Sequence, residues 1–349
     1  MNVTFLIGNG FDLRLGLHTK YTDMYDGYIA APSEDKVVDD FKDVLKKDSP
    51  NGYKTWGDFE MAMANHAKKF KSEEELIMCV RDFKEYMANH LQGEQRKFIE
   101  LMNQVNPSTI AREMQKSVEN FYKGQTPNII NEIEEVYDAQ NINCRFITFN
   151  YTLLLDAIVR KYNNYFKVAI DNTPIHIHGK FDSDIVLGID NVAQVRELPY
   201  VLSKRGERAF VKTAFNAAFD KRRISEAVQL IEDSDVICIY GMSLGESDQT
   251  WINHLRDWLI ADSNHHLIYY KYSEKKFSRW KRDEMMDEED AQRDILLRRL
   301  CSEKEMTALE QQVHIPINYD IFGFVGCIRT EIAKSPHFVG NPGAFAAPR

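Results

Sequence analysis

Four short stretches of this chain place glycine, amide, imidazole and carboxylate groups directly after apolar runs. Val3 to Ile7 leads into Gly8-Asn9-Gly10-Phe11-Asp12, and Cys144 to Phe149 leads into Asn150-Tyr151. Ile175-His176-Ile177 leads into His178-Gly179-Lys180, and Val236 to Tyr240 leads into Gly241-Met242-Ser243-Leu244, with Asp248 just beyond. A glycine turn lets the backbone come close to a ligand, and N–H groups at a helix start suit a diphosphate. Gly8-x-Gly10 departs from the usual dinucleotide fingerprint, because Leu13 stands where the third glycine would be. His176 and His178 admit a different chemistry. Two residues apart, they would share one face of a strand and are candidate metal ligands with Asp182, Asp184 or Asp190, as in a metal-dependent phosphoesterase or nuclease.

The hydrophobic pattern predicts the elements that must hold these groups. Residues 34 to 139 read as helical: Val37-Val38, Phe41 and Val44-Leu45, then Phe59, Met63, Ala67 and Phe70, then Leu76-Ile77, Val80, Phe83 and Met87 recur at spacings of three and four. Breaks fall at Ser49 to Gly52, at Asn106-Pro107 and at Gly124 to Pro127. Strand signals return at Cys144 to Phe149, Val168 to Ile170, Ile175 to His178, Ile185 to Gly188, Val236 to Tyr240 and Leu267 to Tyr270. Helical patterns intervene at Leu153 to Lys161, Ala209 to Asp233 and Trp251 to Ile260, the last with Asp248 as its N-cap. Alternating strands and helices predict an α/β fold, a Rossmann-like doubly wound and mostly parallel sheet, with a large helical insertion after the first strand. Ligands of such sheets bind beyond the carboxyl ends of the strands, where the four stretches converge. The expected division is a nucleotide-binding domain over 1–33 and 140–272 and the insertion over 34–139. A charged helical segment with a late strand near Val313 to Tyr319 covers 273–334, and a tail covers 335–349.

Composition excludes several classes. With 349 residues, 44% hydrophobic and 28% charged, the chain is long and apolar enough for a folded core. A net charge of -9 argues against a broad electrostatic footprint for nucleic acid or anionic lipid. Lys204-Arg205 with Arg208, and Lys221-Arg222-Arg223, read as solvated helix faces. No apolar run approaches the ~18 to 20 residues that span a bilayer. Asn9 and Asp12 interrupt the first apolar run where a signal peptide would continue, so a cytoplasmic protein without a membrane partner is expected. Cys79, Cys144, Cys238, Cys301 and Cys327 are far apart and form no Cys-x-x-Cys pair, which argues against disulfides and a zinc ribbon.

GNGFDLRLGLHTKY over residues 8–21, followed by TFNYT, IHIHGK, LGIDN and YGMSLGESD, resembles the AbiH family of bacterial abortive-infection proteins. The same order of motifs is similar to the wider SIR2-like superfamily. The resemblance spans about 3 to 250, with a loose match in the insertion at Trp56-Gly57-Asp58-Phe59-Glu60. It implies that the Gly8-Asn9-Gly10-Phe11 loop approaches the diphosphate of a dinucleotide. Gly16-Leu17 with Thr19 and Tyr21 would close over the nicotinamide side, although His18 stands where relatives often carry proline. Asn150, with Tyr151 beside it, matches the asparagine next to the nicotinamide ribose in SIR2-like NAD hydrolases and sirtuins. His178, followed by Gly179, matches the catalytic histidine. Gly241, Ser243 and Leu244 match a later loop against the adenosine ribose and phosphates, and Asp248 belongs to the same signature. Thr152 stands where many relatives have an acid. The paired Cys-x-x-Cys motifs of sirtuin deacylases are absent from the sequence, so deacylation is not expected.

The reaction implied by the resemblance is hydrolysis of NAD to nicotinamide and ADP-ribose in antiphage defence. Asn150 would orient the ribose hydroxyls or a water, His178 would take a proton, and Asp12 would stabilise the developing charge. NAD is then substrate or ligand, and no metal is expected. Two other readings stand beside it. One is a non-catalytic sensor that binds NAD, ADP-ribose or another nucleotide and signals through the helical insertion to a partner protein or a second copy of the chain. The other is the metal-dependent enzyme built on His176 and His178.

Overall fold

The computed structural model of the protein describes residues 1–47, 59–123, 127–137, 141–163, 169–170, 173–195, 198–245, 248–278, 280–319 and 321–322. Ser49 to Gly52, Trp56 to Asp58, Gly124 to Thr126, Val168, Cys327 and the tail from Ser335 lie outside the described residues. Among the described residues, seven strands form one sheet: β1 (Asn2–Ile7), β2 (Asn143–Thr148), β3 (Ala169–Ile170), β4 (Ile175–His176), β5 (Val236–Tyr240), β6 (His266–Tyr270) and β7 (Val313–His314). Their order is β3-β2-β1-β5-β6-β7, with β4 also paired to β2, and every strand pairing is parallel. This is the Rossmann-like doubly wound arrangement expected from the alternation of strands and helices. The chain winds outward from β1 to β2 and β3, then returns to the other side of β1 and winds outward through β5, β6 and β7. The topological switch point therefore lies between β1 and β5, and the crevice at their carboxyl ends is where such sheets bind ligands. Register places the three central strand ends side by side, because Ile7 pairs with both Thr148 and Tyr240.

Near-continuous apolar strands require cover on both faces, and both faces have it. Between β1 and β2 run α1 (Gly10–Arg14), α2 (Tyr21–Ala30), α3 (Lys36–Lys47), α4 (Phe59–Ala67), α5 (Glu73–Met102), α6 (Pro107–Glu119) and α7 (Pro127–Val136). After β2 comes α8 (Leu154–Tyr162). Phe5, Ile7, Phe146 and Cys238 face one layer, which is built from the end of α5 (Phe98, Met102), from α6 (Ile110, Met114, Val118) and from α8 (Leu155, Ile158). Alternate residues of the same strands, Leu6, Ile147, Ile237 and Ile239, face the other. That layer contains α11 (Lys221–Glu232), α12 (Gln249–Ala261), α13 (Arg282–Leu300) and α14 (Glu303–Leu309).

A third cluster joins α2 through the first half of α5 to the segment after β4, through Tyr28, Phe41, Phe83, Leu187, Ile189 and Phe210. It forms a helical lobe above the carboxyl ends of the strands. α9 (Lys204–Phe210) and α10 (Lys212–Phe219) join it, with Phe210 in the cluster and Ala214 packed against it. The 30-residue α5 runs through both cores, with Phe83 and Met87 in the lobe and Phe98 and Met102 beneath the sheet.

Three expected elements differ. The apolar run Ile185 to Gly188 is not a strand; it folds back on His178-Gly179 through one antiparallel bridge, and Leu187 is buried in the lobe. The helix expected over Ala209 to Asp233 is divided, because Asp220 accepts from the Arg223 amide and starts α11 anew. β4 stops at His176, so His178 lies in the following turn. Among the described residues, no helix is long and apolar enough to cross a membrane.

Candidate functional site

A cavity of about 890 Å³ opens at the switch point, within the size range of small-molecule sites. Its floor is the loop after β1, including Gly8, Asn9, Gly10 and Asp12, together with Asn150, Tyr151 and Thr152 after β2. His178 and Asp248 form one wall, Gly241 and Ser243 another, and Thr19 and Tyr21 lie at the approach to the lobe. The lobe adds Met24, Glu60, Met87 and Leu91 as a roof.

Asp12 is set by the first turn after β1. Gly16 has φ +88°, and the amides of Gly16 and Leu17 donate to Leu13 O and Asp12 O, a glycine-ended stop that limits α1 to five residues. The Asp12 carboxylate accepts from Asn150 Nδ2 at 3.0 Å and from Thr152 Oγ1 at 2.7 Å. Burial pushes its pKa up from 3.8 to about 7 against those two hydrogen bonds. Because Nδ2 serves Asp12, Asn150 Oδ1 is the free end of the amide, and it is buried without a hydrogen-bond partner. His176 braces the backbone behind it. Its Nδ1 meets Asn150 O at 3.0 Å and its Nε2 meets Asp156 Oδ2 at 2.6 Å.

His178 is the second buried group aimed at the cavity with an unsatisfied atom, Nε2. Burial, then the charges of Lys212 and Arg223, hold its pKa well below the ordinary imidazole value, while the Phe149 carbonyl accepts from the ring. A neutral imidazole with Nδ1–H committed to a carbonyl presents Nε2 as an acceptor, the form a general base needs. Asp248 Oδ1 is 3.8 Å from Nε2, beyond hydrogen-bond reach, and a neutral ring forms no ion pair with it. Lys212 Nζ binds Glu60 Oε2 at 2.7 Å and lies 3.9 Å from Asp248. Burial works against the Lys212 ammonium, but Glu60 and Asp248 hold its pKa above the lysine value.

The metal reading loses its premise here. His176 and His178 do not share a strand face, and both nitrogens of His176 are engaged. Asp184 pairs with Arg223 at 2.9 Å, and Asp190 binds the N-terminus of α12 through the Thr250 amide and hydroxyl. Among the described residues, no group of three or more His, Cys, Asp or Glu side chains is placed to hold a metal ion. Asp248 occupies the N-cap position of α12 but makes no capping bond, because Asp190 supplies it.

The glycine turns have a different use from the one expected. A Cβ on Gly10 would stand 2.5 Å from Gly241 Cα, and one on Gly8 would stand 2.6 Å from Gly241 O. The two loops pack backbone against backbone. The amides of Gly8, Gly10 and Phe11 donate to Tyr240 O, Gly241 O and Gly8 O, so these three N–H groups are already committed. Three expected binding residues do not line the cavity. Phe11 is 1% exposed and meets Phe322 edge-on in the core. Leu244 has φ +51° and is buried in the layer that contains α11 to α14. Gly179 turns the chain with φ +74°, its Cβ position taken by Asp184 O.

The sequence model of the family described as bacteriophage abortive infection AbiH matches residues 4–270. The chain belongs to the AbiH family. It is a bacteriophage abortive infection protein by that membership. No curated protein and no solved structure matches the chain. The matched region of this AbiH protein contains all the strand ends that build the cavity floor. Two of its departures from the related motifs have local reasons. Thr152 donates to Asp12, where an acid would bring a second carboxylate against it. The His18 amide donates to Glu94 Oε2 on α5, a bond that proline could not make.

Sequence reasoning missed the Glu60–Lys212 pair and the aromatic far end of the cavity. Glu60 and Lys212 are 152 residues apart and neither sits in a chemical motif with the other. The only hint was the loose Trp56 to Glu60 match in the insertion.

Proposed function

We propose that this AbiH protein binds NAD across the switch-point cavity and hydrolyses it to nicotinamide and ADP-ribose. One observation carries the reading: Asn150 Oδ1 and His178 Nε2 are buried polar atoms without partners on the wall of one cavity. Such atoms cost free energy unless a ligand or water satisfies them, and clusters of them in a cleft mark binding sites.

In the proposed reaction, the bond between ribose C1′ and the nicotinamide nitrogen breaks. Its electron pair goes to the pyridinium ring, which leaves neutral and needs no acid. The transition state has oxocarbenium character, as in other glycoside cleavages. Asn150 Oδ1 accepts from a ribose hydroxyl or from the attacking water, and the Asp12 behind the amide adds negative charge when ionised. His178 Nε2 takes the proton released as water bonds to C1′. Loss of NAD would then be the means of aborting infection.

The test is release of nicotinamide from NAD by the purified chain, alone and with extract of phage-infected cells. Asn150→Ala and His178→Ala are expected to lower release by roughly 100-fold or more. Tight NAD binding with no release under either condition would overturn hydrolysis and favour a sensor whose helical lobe, through Met24, Glu60, Met87 and Leu91, responds to the ligand.

A further inference from the structure

The cavity has a second end that the bond-breaking chemistry does not use, where β5 and β6 stop. Tyr240, Tyr270, Lys271, Tyr272 and Tyr319 line it. Tyr270 and Tyr319 stack with ring centroids 6.3 Å apart, and Tyr272 stands 76% exposed at the rim. Lys271 is fixed from both sides of its backbone, donating its amide to Pro316 O and accepting from the Asn318 amide. Its ammonium meets the Tyr269 hydroxyl at 3.3 Å and lies over the Tyr269 ring at 4.8 Å. Arg299, near enough to repel Lys271, donates to Ser243 O and Leu244 O and so holds the loop that forms the adjacent wall. The partners of the two cations among the described residues are hydroxyl and carbonyl oxygens rather than carboxylates, and Glu274 also borders the cavity.

The Lys271 ammonium carries three N–H donors and the Tyr269 hydroxyl takes one, so the others can serve an anion that enters this end of the cavity. On the opposite side of the cavity, the amides of Gly8, Gly10 and Phe11 are spent on the loop packing, so an entering anion finds no donor in those three. Exposed aromatic rings beside a cation are the usual platform for a purine base.

We propose that Lys271, backed by Arg299, holds the diphosphate of an adenine nucleotide whose base packs on Tyr272 at the cavity rim. The proposal deepens the dinucleotide reading of this site and rests on it for the ligand class. It places the phosphates on the β6 side of the switch point rather than on the glycine loop.

Isothermal titration of the full chain with ADP-ribose, ADP and adenosine tests it. Lys271→Met is expected to weaken ADP-ribose and ADP by about 10-fold or more, the size of one charge-assisted hydrogen bond, and to leave adenosine unchanged. Lys271→Arg is expected to retain ADP-ribose, and binding is expected to weaken with added salt in the wild type more than in Lys271→Met. Equal weakening of adenosine, unchanged ADP-ribose affinity in Lys271→Met, or no ADP-ribose binding by the wild type would each overturn the subsite. ADP-ribose bound through Lys271 without nicotinamide release from NAD would support the subsite and overturn hydrolysis. Nicotinamide release with an unchanged KM in Lys271→Met would do the reverse.

Discussion

The side-chain amide of Asn150 donates to the Asp12 carboxylate at 3.0 Å, tying the loop after β2 to the first turn after β1 across 138 residues of sequence. That bond decides which end of the amide faces the cavity. An ionised Asp12 requires the NH2 group, so the carbonyl oxygen of Asn150 is left to a ligand. The protonation of Asp12 is therefore linked both to stability and to the orientation of the neighbouring amide.

The first prediction concerns stability and pH. The Asp12 pKa is raised from 3.8 to about 7 by burial, so the folded state holds a proton that the unfolded chain has lost. The stabilising effect is full below the unfolded value and disappears as pH rises through the folded one. A shift of that size corresponds to about 4 kcal/mol. Asp12→Asn removes the titration, and the stability difference between variant and wild type should move in the variant's favour by about 2–3 kcal/mol from pH 5 to pH 8. Denaturant unfolding at several pH values measures it; a flat difference would mean that Asp12 titrates normally. His178 acts with the opposite sign. Its lowered pKa destabilises the fold as pH falls below the unfolded imidazole value, and this contribution cancels in the comparison provided that His178 is undisturbed.

Nicotinamide release should carry the same signature. His178 is neutral throughout the range around neutrality, so its own acid limb lies well below pH 6.5. Any limb near pH 7 then belongs to Asp12, with kcat rising as Asp12 ionises and orders the Asn150 amide. In Asp12→Asn that limb should be gone. Its persistence would assign it to another group.

Two glycine substitutions should move stability in opposite directions. Gly10→Ala drives a Cβ to 2.5 Å from Gly241 Cα, where the hydrogen bond from Gly10 N to Gly241 O resists relaxation. Overpacking of this kind costs about 1–3 kcal/mol. Gly93 lies inside α5 with nothing within 4 Å of its Cβ position, so Gly93→Ala should add about 0.5–1 kcal/mol. Unfolding midpoints of the two variants provide the comparison, and a neutral Gly10→Ala would show that the two loops can separate.

The buried Lys212–Glu60 pair supplies a fourth test. Lys212→Met leaves the Glu60 carboxylate buried without its cation, a loss of about 3–5 kcal/mol. Adding Glu60→Gln should recover part of it. A double-mutant cycle on unfolding free energy measures the coupling, and additive losses would mean that the pair is not a unit.

Much of this molecule was legible in its residues. The run Val3 to Ile7, the glycines after it, the 3-and-4 spacing of the helical lobe and the polar groups at Asn150 and His178 are local signals. Local signals suffice for element type and for a site at the strand ends. The limits were also local in kind. Ile185 to Gly188 has strand composition, yet Leu187 is taken by a helical core that no pattern within the run announces. Asp248 looks like a helix cap, but the capping bonds come from Asp190, 60 positions before the Thr250 that donates them.

What the sequence by itself determined was the doubly wound sheet, the AbiH motifs and the presence of an amide, an imidazole and a carboxylate at one edge. Only the tertiary structure decided how they work: which way the Asn150 amide points, why His178 stays neutral, and that the glycines serve loop packing. The physical reason is that pKa, tautomer and hydrogen-bond partner depend on groups brought together through space. Asp12 with Thr152, His178 with Lys212, and Gly10 with Gly241 are each joined across long stretches of chain whose closure no local pattern encodes.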